Sequence, residues 1–460
     1  MMKPIFTLNE LVKPLDAQLI GAGNQSVDIS GVTTDTRAVK PGDVFIALKG
    51  ERFDAHDFVD QAISAGAVAL IVERELAVSV PQLIVSDSRI ALGRIAEYNR
   101  SFFSGLLFAI TGSSGKTTVK EMLATVLARC GNTLATQGNL NNDIGVPLTL
   151  LRLAPEHEYA VIEMGASGAG EIAYSASLAH PHISVVNNAM AAHLEGFGSL
   201  QGVIDAKGEI YDGLSAVGTA VVNLDDAAAG QWITRIGQKP LVSFSVKHEK
   251  ADLYVRHVSR QLNGCFAFDI VHGSTSATVT LQVLGAHNIA NAAAVAALML
   301  AAGFSLDVVA DGLSCFKAVK GRLCTVAGLA GSLVIDDTYN ANKGSVMAAI
   351  DTLAELPGER VLILGDLGEL GADAVSIHYE LGCYAAEQKI DRFYAVGELC
   401  KEAVNGFQSS GGELVAHFAD KISLLNAMQP LLHSDLKILV KGSRSAGMES
   451  VVAGLTAGDK

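Results

Sequence analysis

Apolar and polar residues alternate along this chain in two repeating patterns. Leu106-Leu107-Phe108-Ala109-Ile110 is an uninterrupted apolar run, the pattern of a strand covered on both faces of a parallel sheet. Just beyond it, Val119, Met122, Leu123, Val126 and Leu127 recur at helical spacing, and Gly131 stands where a C-terminal cap belongs. The strand-then-loop pattern returns at Tyr159-Ala160-Val161-Ile162 and Ile183-Ser184-Val185-Val186, predicting an open parallel sheet. Upstream, Val44-Phe45-Ile46-Ala47-Leu48 and Ala67-Val68-Ala69-Leu70-Ile71-Val72 are short strand runs; Pro41-Gly42-Asp43 and Lys49-Gly50 frame the first as turns, and a small α/β domain is expected. Downstream, Leu333-Val334-Ile335, Val361-Leu362-Ile363-Leu364 and Ile438-Leu439-Val440 predict a second doubly wound unit. The expected fold is α/β in three domains, over residues 1–103, 104–317 and 318–460.

Length agrees with that division, because 460 residues exceed what one core of roughly 250 to 300 residues accommodates. The formal net charge of −14 gives no general footprint for nucleic acid or an anionic membrane, so an anionic ligand would need a local cation or metal. Six cysteines without a C-x-x-C pair argue against a zinc knuckle or a disulfide framework. Residues 1–13 lack the apolar core of a signal peptide, and the most apolar run, 292–304, is shorter than the roughly 17 residues that span a bilayer. A cytoplasmic protein without membrane insertion is expected.

Four features carry chemistry. Gly112-Ser113-Ser114-Gly115-Lys116-Thr117-Thr118 lies between a strand and a helix, where small residues bring backbone N–H groups close to phosphate and the helix N-terminus adds positive charge. Lys116 would reach the outer phosphates and Thr117 would ligate Mg²⁺. The common G-x-x-x-x-G-K-[ST] loop needs glycine where this chain has Ile110, so the loop is two residues tighter. Glu163 closes the second strand, where an acid can reach a phosphate-bridging magnesium ion. Lys207 shares a helical face with Val203, Ile204, Ile210 and Tyr211 and points inward; it either snorkels to water or offers an amine of lowered pKa. His193, in a loop after the third strand, could bind a metal or phosphate.

These residues, with others in order along nearly the whole chain, resemble the Mur ligase family. Thr111 to Thr118 is similar to the family's T-G-x-x-G-K-T-T signature, Gly138-Asn139-Leu140-Asn141-Asn142 resembles its substrate-facing loop, and Ala206-Lys207-Gly208-Glu209-Ile210 matches its modified-lysine segment. The resemblance implies a UDP-sugar N-terminal domain carrying Asp35, Arg37 and Lys49, a central ATPase domain, and a Rossmann-like C-terminal domain. It implies ATP and two Mg²⁺ as cofactors, with Lys207 carbamylated and Lys207, Thr117, Glu163 and His193 as metal ligands. Lys116, Glu163, His193 and Lys207 form its implied catalytic set. Asn288, Arg322, Asp337 and Asn340 would contact the nucleotide, and Asn139, Asn142, Lys441, Ser443 and Arg444 the substrates.

The implied reaction joins D-alanyl-D-alanine to UDP-N-acetylmuramoyl-tripeptide through an acyl phosphate, in a monomer. A ligase of another specificity, a folylpolyglutamate synthetase, or a nucleotide-binding protein without peptide chemistry are the rival readings. The chain departs from the family at Gly165-Ala166-Ser167-Gly168, where Gly-Ala-Asn-His is common, and at Lys343, where a proline is usual.

Overall fold

The computed structural model describes residues 6–21, 27–50, 53–190 and 194–456. Its centre is a nine-stranded sheet in the order Thr275–Thr280, Phe266–His272, Leu253–Arg260, Leu241–Ser245, Thr219–Asn223, Ile183–Val186, Leu106–Thr111, Tyr159–Glu163, Thr133–Ala135. Seven neighbouring strands run parallel, from Leu253–Arg260 to Thr133–Ala135. The last two, Phe266–His272 and Thr275–Thr280, are antiparallel, so the sheet is mixed and not purely parallel as expected. Their signal was period two: Phe266, Phe268 and Ile270 face the core and Ala267 and Asp269 do not.

Strand Leu106–Thr111 lies between Tyr159–Glu163 and Ile183–Val186, and Phe108, Ala109 and Ile110 are wholly buried, as an apolar run sheathed on both faces requires. Each large side chain buried there contributes roughly 1.5–3 kcal/mol. Helix Lys116–Leu127 covers one face with Val119, Met122, Leu123, Val126 and Leu127. It ends earlier than its spacing suggested: Ala128 is the cap, and Gly131 lies in a following turn, its N–H donating to the Leu127 carbonyl at 3.0 Å. The apolar run 292–304 forms most of helix His287–Ala301, buried on almost every side. No helix among the described residues is long and apolar enough to cross a membrane.

On one flank stands a five-stranded sheet, Gln18–Ile20, Gln82–Ile84, Ala69–Val72, Asp43–Ile46 and Gly31–Thr33. Its helix Ser88–Ser101 begins on Asp87, whose carboxylate accepts N–H bonds from Arg89 and Ile90. The far end is tied to the central unit by buried polar bonds. The Asn99 amide donates to the carbonyls of Leu150 and Leu153, and the Arg100 guanidinium to those of Ala179 and His180. On the other flank a six-stranded sheet runs Cys324–Ala327, Leu333–Asp337, Leu436–Lys441, Glu359–Gly365, Arg392–Val396, Leu414–Phe418, all parallel except the first. The carboxyl ends of Leu106–Thr111, Tyr159–Glu163, Leu333–Asp337 and Leu436–Lys441 converge on one crevice, where open α/β sheets bind ligands.

Candidate active site

The phosphate loop is built from close backbone approaches. Gly112 has φ of +155° and Gly115 of +77°; a Cβ on Gly115 would stand 2.5 Å from the Asn291 Oδ1 and 2.6 Å from the Asn187 Nδ2, so both the angle and the space demand glycine. The loop is held by its neighbours: the Ser113 N–H donates to the Asn188 carbonyl at 3.0 Å, and the Ser114 N–H to the Asn188 Oδ1 at 2.9 Å. Those two N–H groups are therefore committed. The donors left for an anion are those of the first turn of helix Lys116–Leu127, which have no intrahelical acceptor. Lys116 folds back so that its ammonium donates to the Gly112 carbonyl at 2.7 Å, and desolvation in the crevice lowers its pKa.

Glu163 ends its strand beside this loop and is 1 % exposed. Its Oε1 accepts from the Asn141 amide at 2.8 Å and the Thr117 hydroxyl at 3.3 Å. Its Oε2 is buried with no hydrogen-bond partner. An orphaned carboxylate oxygen beside a threonine hydroxyl is an all-oxygen donor set of the kind a hard divalent cation takes, and burial without a partner is otherwise costly.

Lys207 lies near the end of helix Leu200–Gly208, which opens on Ser199 with the serine hydroxyl accepting the Gly202 N–H. It is 2 % exposed, so the snorkelling alternative does not hold. Its ammonium sits 5.3 Å from the centre of the Phe197 ring and makes no hydrogen bond or ion pair among the described residues. Burial, aided by the positive charge of Lys116 and opposed by Glu171 and Glu209, pulls its pKa down to about 7. His193 lies outside the described residues.

The third unit closes over the loop. Arg322 donates to the Thr117 hydroxyl at 3.2 Å and stacks its guanidinium 4.2 Å from the centre of the Tyr339 ring, with Arg444 at 5.8 Å. Between the walls lies a cavity of about 670 Å³, lined by Ser113, Lys116, Thr117, Asn139, Asn142, Glu163, Arg322, Asn340 and Arg444, among others. A second cavity of about 290 Å³ adjoins it and holds Thr118, Asn288, Asp337 and Lys441, so the two meet at Ser114, Gly115, Arg322 and Ser345.

Several of the expected site residues lie outside the larger cavity. Lys441, expected on the substrate side, is buried in an ion pair with Asp337 at 2.6 Å, also donates to the Asn340 carbonyl at 3.0 Å, and lines the smaller cavity. Ser443 is occupied with the Asp366 carbonyl at 2.6 Å and lines neither cavity. Asp35, Arg37 and Lys49 also lie away from both. Asp35 and Arg37 form an exposed bidentate pair, whose hydrogen bonds hold the Asp35 pKa down to about 2. Asn141, Glu171, Tyr339 and Lys120 carry no individual role in the sequence pattern. Lys120 carried the same signal as Lys207, since it shares a helical face with Leu123 and Leu127.

With this geometry in hand, comparison with known proteins is specific. Three family models match in sequence: "Mur ligase family, catalytic domain" over residues 28–100, "Mur ligase middle domain" over 110–299, and "Mur ligase, glutamate ligase domain" over 321–444. The chain is 48% identical to the UDP-N-acetylmuramoyl-tripeptide--D-alanyl-D-alanine ligase of Escherichia coli strain K12, over 98% of each chain. Crystal structure I of MurF from Acinetobacter baumannii superposes with a TM-score of 0.91 at 37% identity, covering 98% of each chain. MurF ligase from Thermotoga maritima in complex with ADP superposes at 0.83 with 29% identity, over 92% of this chain and 96% of that one.

Proposed function

This chain belongs to the Mur ligase family, and from that premise we propose that it joins D-alanyl-D-alanine to UDP-N-acetylmuramoyl-tripeptide at the expense of ATP, a step of peptidoglycan precursor synthesis. The observation that carries the reading is the meeting, in one cavity, of a phosphate-binding helix start with Glu163 and its unpartnered buried oxygen. ATP is the nucleotide, supported by the ADP held by the Thermotoga maritima relative. Its base and ribose take the cavity at Asn288 and Asp337, and its phosphates the first turn of helix Lys116–Leu127.

In the first half-reaction the terminal carboxylate of the tripeptide attacks the γ-phosphorus, and the bond to the β,γ-bridging oxygen breaks to give an acyl phosphate and ADP. Two anions must approach, so the walls supply positive charge: Lys116 from the loop and Arg322 from the third unit lie in the cavity before the substrates arrive. Thr117, Glu163 and Lys207, the last as its carbamate, are the residues that would hold two Mg²⁺, which when bound offset the charge of the phosphates. A lysine with a pKa near 7 has a substantial neutral fraction near neutral pH, and the neutral amine is the form that adds CO₂. In the second half-reaction the amine of D-alanyl-D-alanine attacks the acyl carbon, the tetrahedral intermediate collapses, and phosphate leaves. Arg444 and Asn139 face the cavity where that dipeptide would lie.

The domain units 1–103, 104–317 and 318–460 then serve the UDP-sugar, the ATP chemistry and the closing wall. Asp35, Arg37 and Lys49 are assigned to the UDP-linked end, far from the transfer. Action as a monomer in the cytoplasm, where a UDP-linked precursor and ATP are the substrates, belongs to the same proposal. The test is ADP release by purified protein: it should require both UDP-N-acetylmuramoyl-tripeptide and D-alanyl-D-alanine. Release with a folate and glutamate instead, or ATP binding without release, would refute this function.

A further inference from the structure

We infer that Lys120 is a positioning residue for Glu163, acting through Thr136. Lys120 lies one helical turn beyond Lys116 on helix Lys116–Leu127, yet lines neither cavity and is 0 % exposed. Taking an ammonium out of water costs several kcal/mol, and an apolar side chain of similar volume would pack there at less cost. Lys120 has two partners: the Glu121 carboxylate, partly exposed at the rim, and the Thr136 carbonyl at 2.8 Å.

Thr136, 2 % exposed, is where the chain leaves strand Thr133–Ala135 for the loop 136–142. Its hydroxyl accepts the Glu163 N–H at 2.9 Å, and its own N–H donates to the Val161 carbonyl at 3.0 Å. The same loop returns at Asn141, whose amide donates to Glu163 Oε1 at 2.8 Å and whose carbonyl accepts the Gly165 N–H at 2.7 Å. The backbone and the carboxylate of Glu163 are thus both held by one loop, and Lys120 pins its root to the helix that starts the phosphate site. The buried charge fixes where the free Oε2 points. Partners of this kind behind a metal ligand typically change metal affinity by roughly 10- to 100-fold when removed.

The inference rests on Glu163 being a metal ligand, and the experiment separates the two. Binding of Mn²⁺ to the full-length protein with ADP is followed by electron paramagnetic resonance, beside metal-free ADP binding in EDTA and thermal unfolding. Glu163→Gln tests the ligand itself; unchanged Mn²⁺ affinity there removes the metal reading and the inference with it. Given a loss there, Lys120→Met should weaken Mn²⁺ by about tenfold or more with metal-free ADP binding unchanged. Thr136→Val, which keeps shape and loses the hydroxyl, should do likewise, and Thr136→Ser should retain affinity. The double variant Lys120→Met/Thr136→Val should be little worse than the weaker-binding single, since both interrupt one path. A Lys120→Met protein that melts earlier but binds Mn²⁺ normally, or additive losses in the double variant, would overturn the inference. If Lys120→Met does not fold, Thr136→Val decides: normal Mn²⁺ affinity in it overturns the path.

Discussion

Two helices of the central unit each bury a lysine, Lys120 at 0 % exposure and Lys207 at 2 %. Behind the phosphate loop, Lys120 meets a carboxylate and a carbonyl. Beside the loop, Lys207 meets an aromatic face, and among the described residues the charges that act on it are Lys116 against and Glu171 and Glu209 for its protonation. Burial with partners makes a charged strut; burial without them makes an amine that gives up its proton near neutrality. The same residue type, equally hidden, is directed to two kinds of work by what its last atom touches.

The sharpest way to break this contrast is at Lys207. Lys207→Ala should lower kcat by roughly a thousandfold or more, the scale of losing a principal electrostatic contributor, with partial rescue by bicarbonate or a small carboxylate. Undiminished turnover would return Lys207 to a packing role. Next in size is Lys441, a buried lysine with a strong partner. Lys441→Met leaves Asp337 buried and unpaired and should destabilise by about 3–5 kcal/mol in urea unfolding, whereas a loss below about 1 kcal/mol would show the pair to be spectators.

Stability against pH then distinguishes Lys207 from the other buried lysines. In CO₂-free buffer the folded chain releases the Lys207 proton at about 7 and the unfolded chain only near the ordinary lysine value of 10.5. Between those values the unfolded state binds more protons, so this residue's contribution makes stability rise with pH, and below pH 7 the whole cost of the buried charge is present. Lys207→Met should therefore be more stable than the parent at pH 6 by a few kcal/mol, with the advantage shrinking toward pH 10. An advantage independent of pH would place the lysine proton in the same state throughout. The smallest effect belongs to a pair in water. Arg37→Ala should leave the melting temperature unchanged, because an exposed pair contributes little, while raising KM for the UDP-linked substrate by about tenfold at constant kcat. An unaltered KM would remove Arg37 from the binding surface.

Legibility in the sequence followed the range of each interaction. The strand Leu106–Thr111, the loop after it and the helix starting at Lys116 are consecutive, so spacing alone placed Lys116 and Thr117 beside a phosphate. The inward face of Lys207 was legible for the same local reason. Lys120 carried the same signal and was missed, since its meaning lies in the Thr136 carbonyl, sixteen residues away in sequence and on another element. Lys441 stood in a loop motif similar to a substrate-binding one, yet the strand pairing of Leu436–Lys441 with Leu333–Asp337 sets it directly against Asp337. The antiparallel strands at the edge of the central sheet alternate with period two, a pattern weaker than the continuous apolar runs beside them.

By itself, then, the sequence determined the elements and their local chemistry: buried strands, a tight phosphate loop, an acid at a strand end and a lysine on an apolar face. Periodicity and turn chemistry act over a few residues and need no partner from elsewhere. Only the tertiary structure decided which charges are answered. It gave Lys120 and Lys441 their acids, left Lys207 without one among the described residues, kept the Glu163 Oε2 unpaired, and brought Arg322 to Thr117 across 205 residues of chain. A buried charge is worth what surrounds its terminal atoms, and those neighbours are set by packing, which no local pattern encodes.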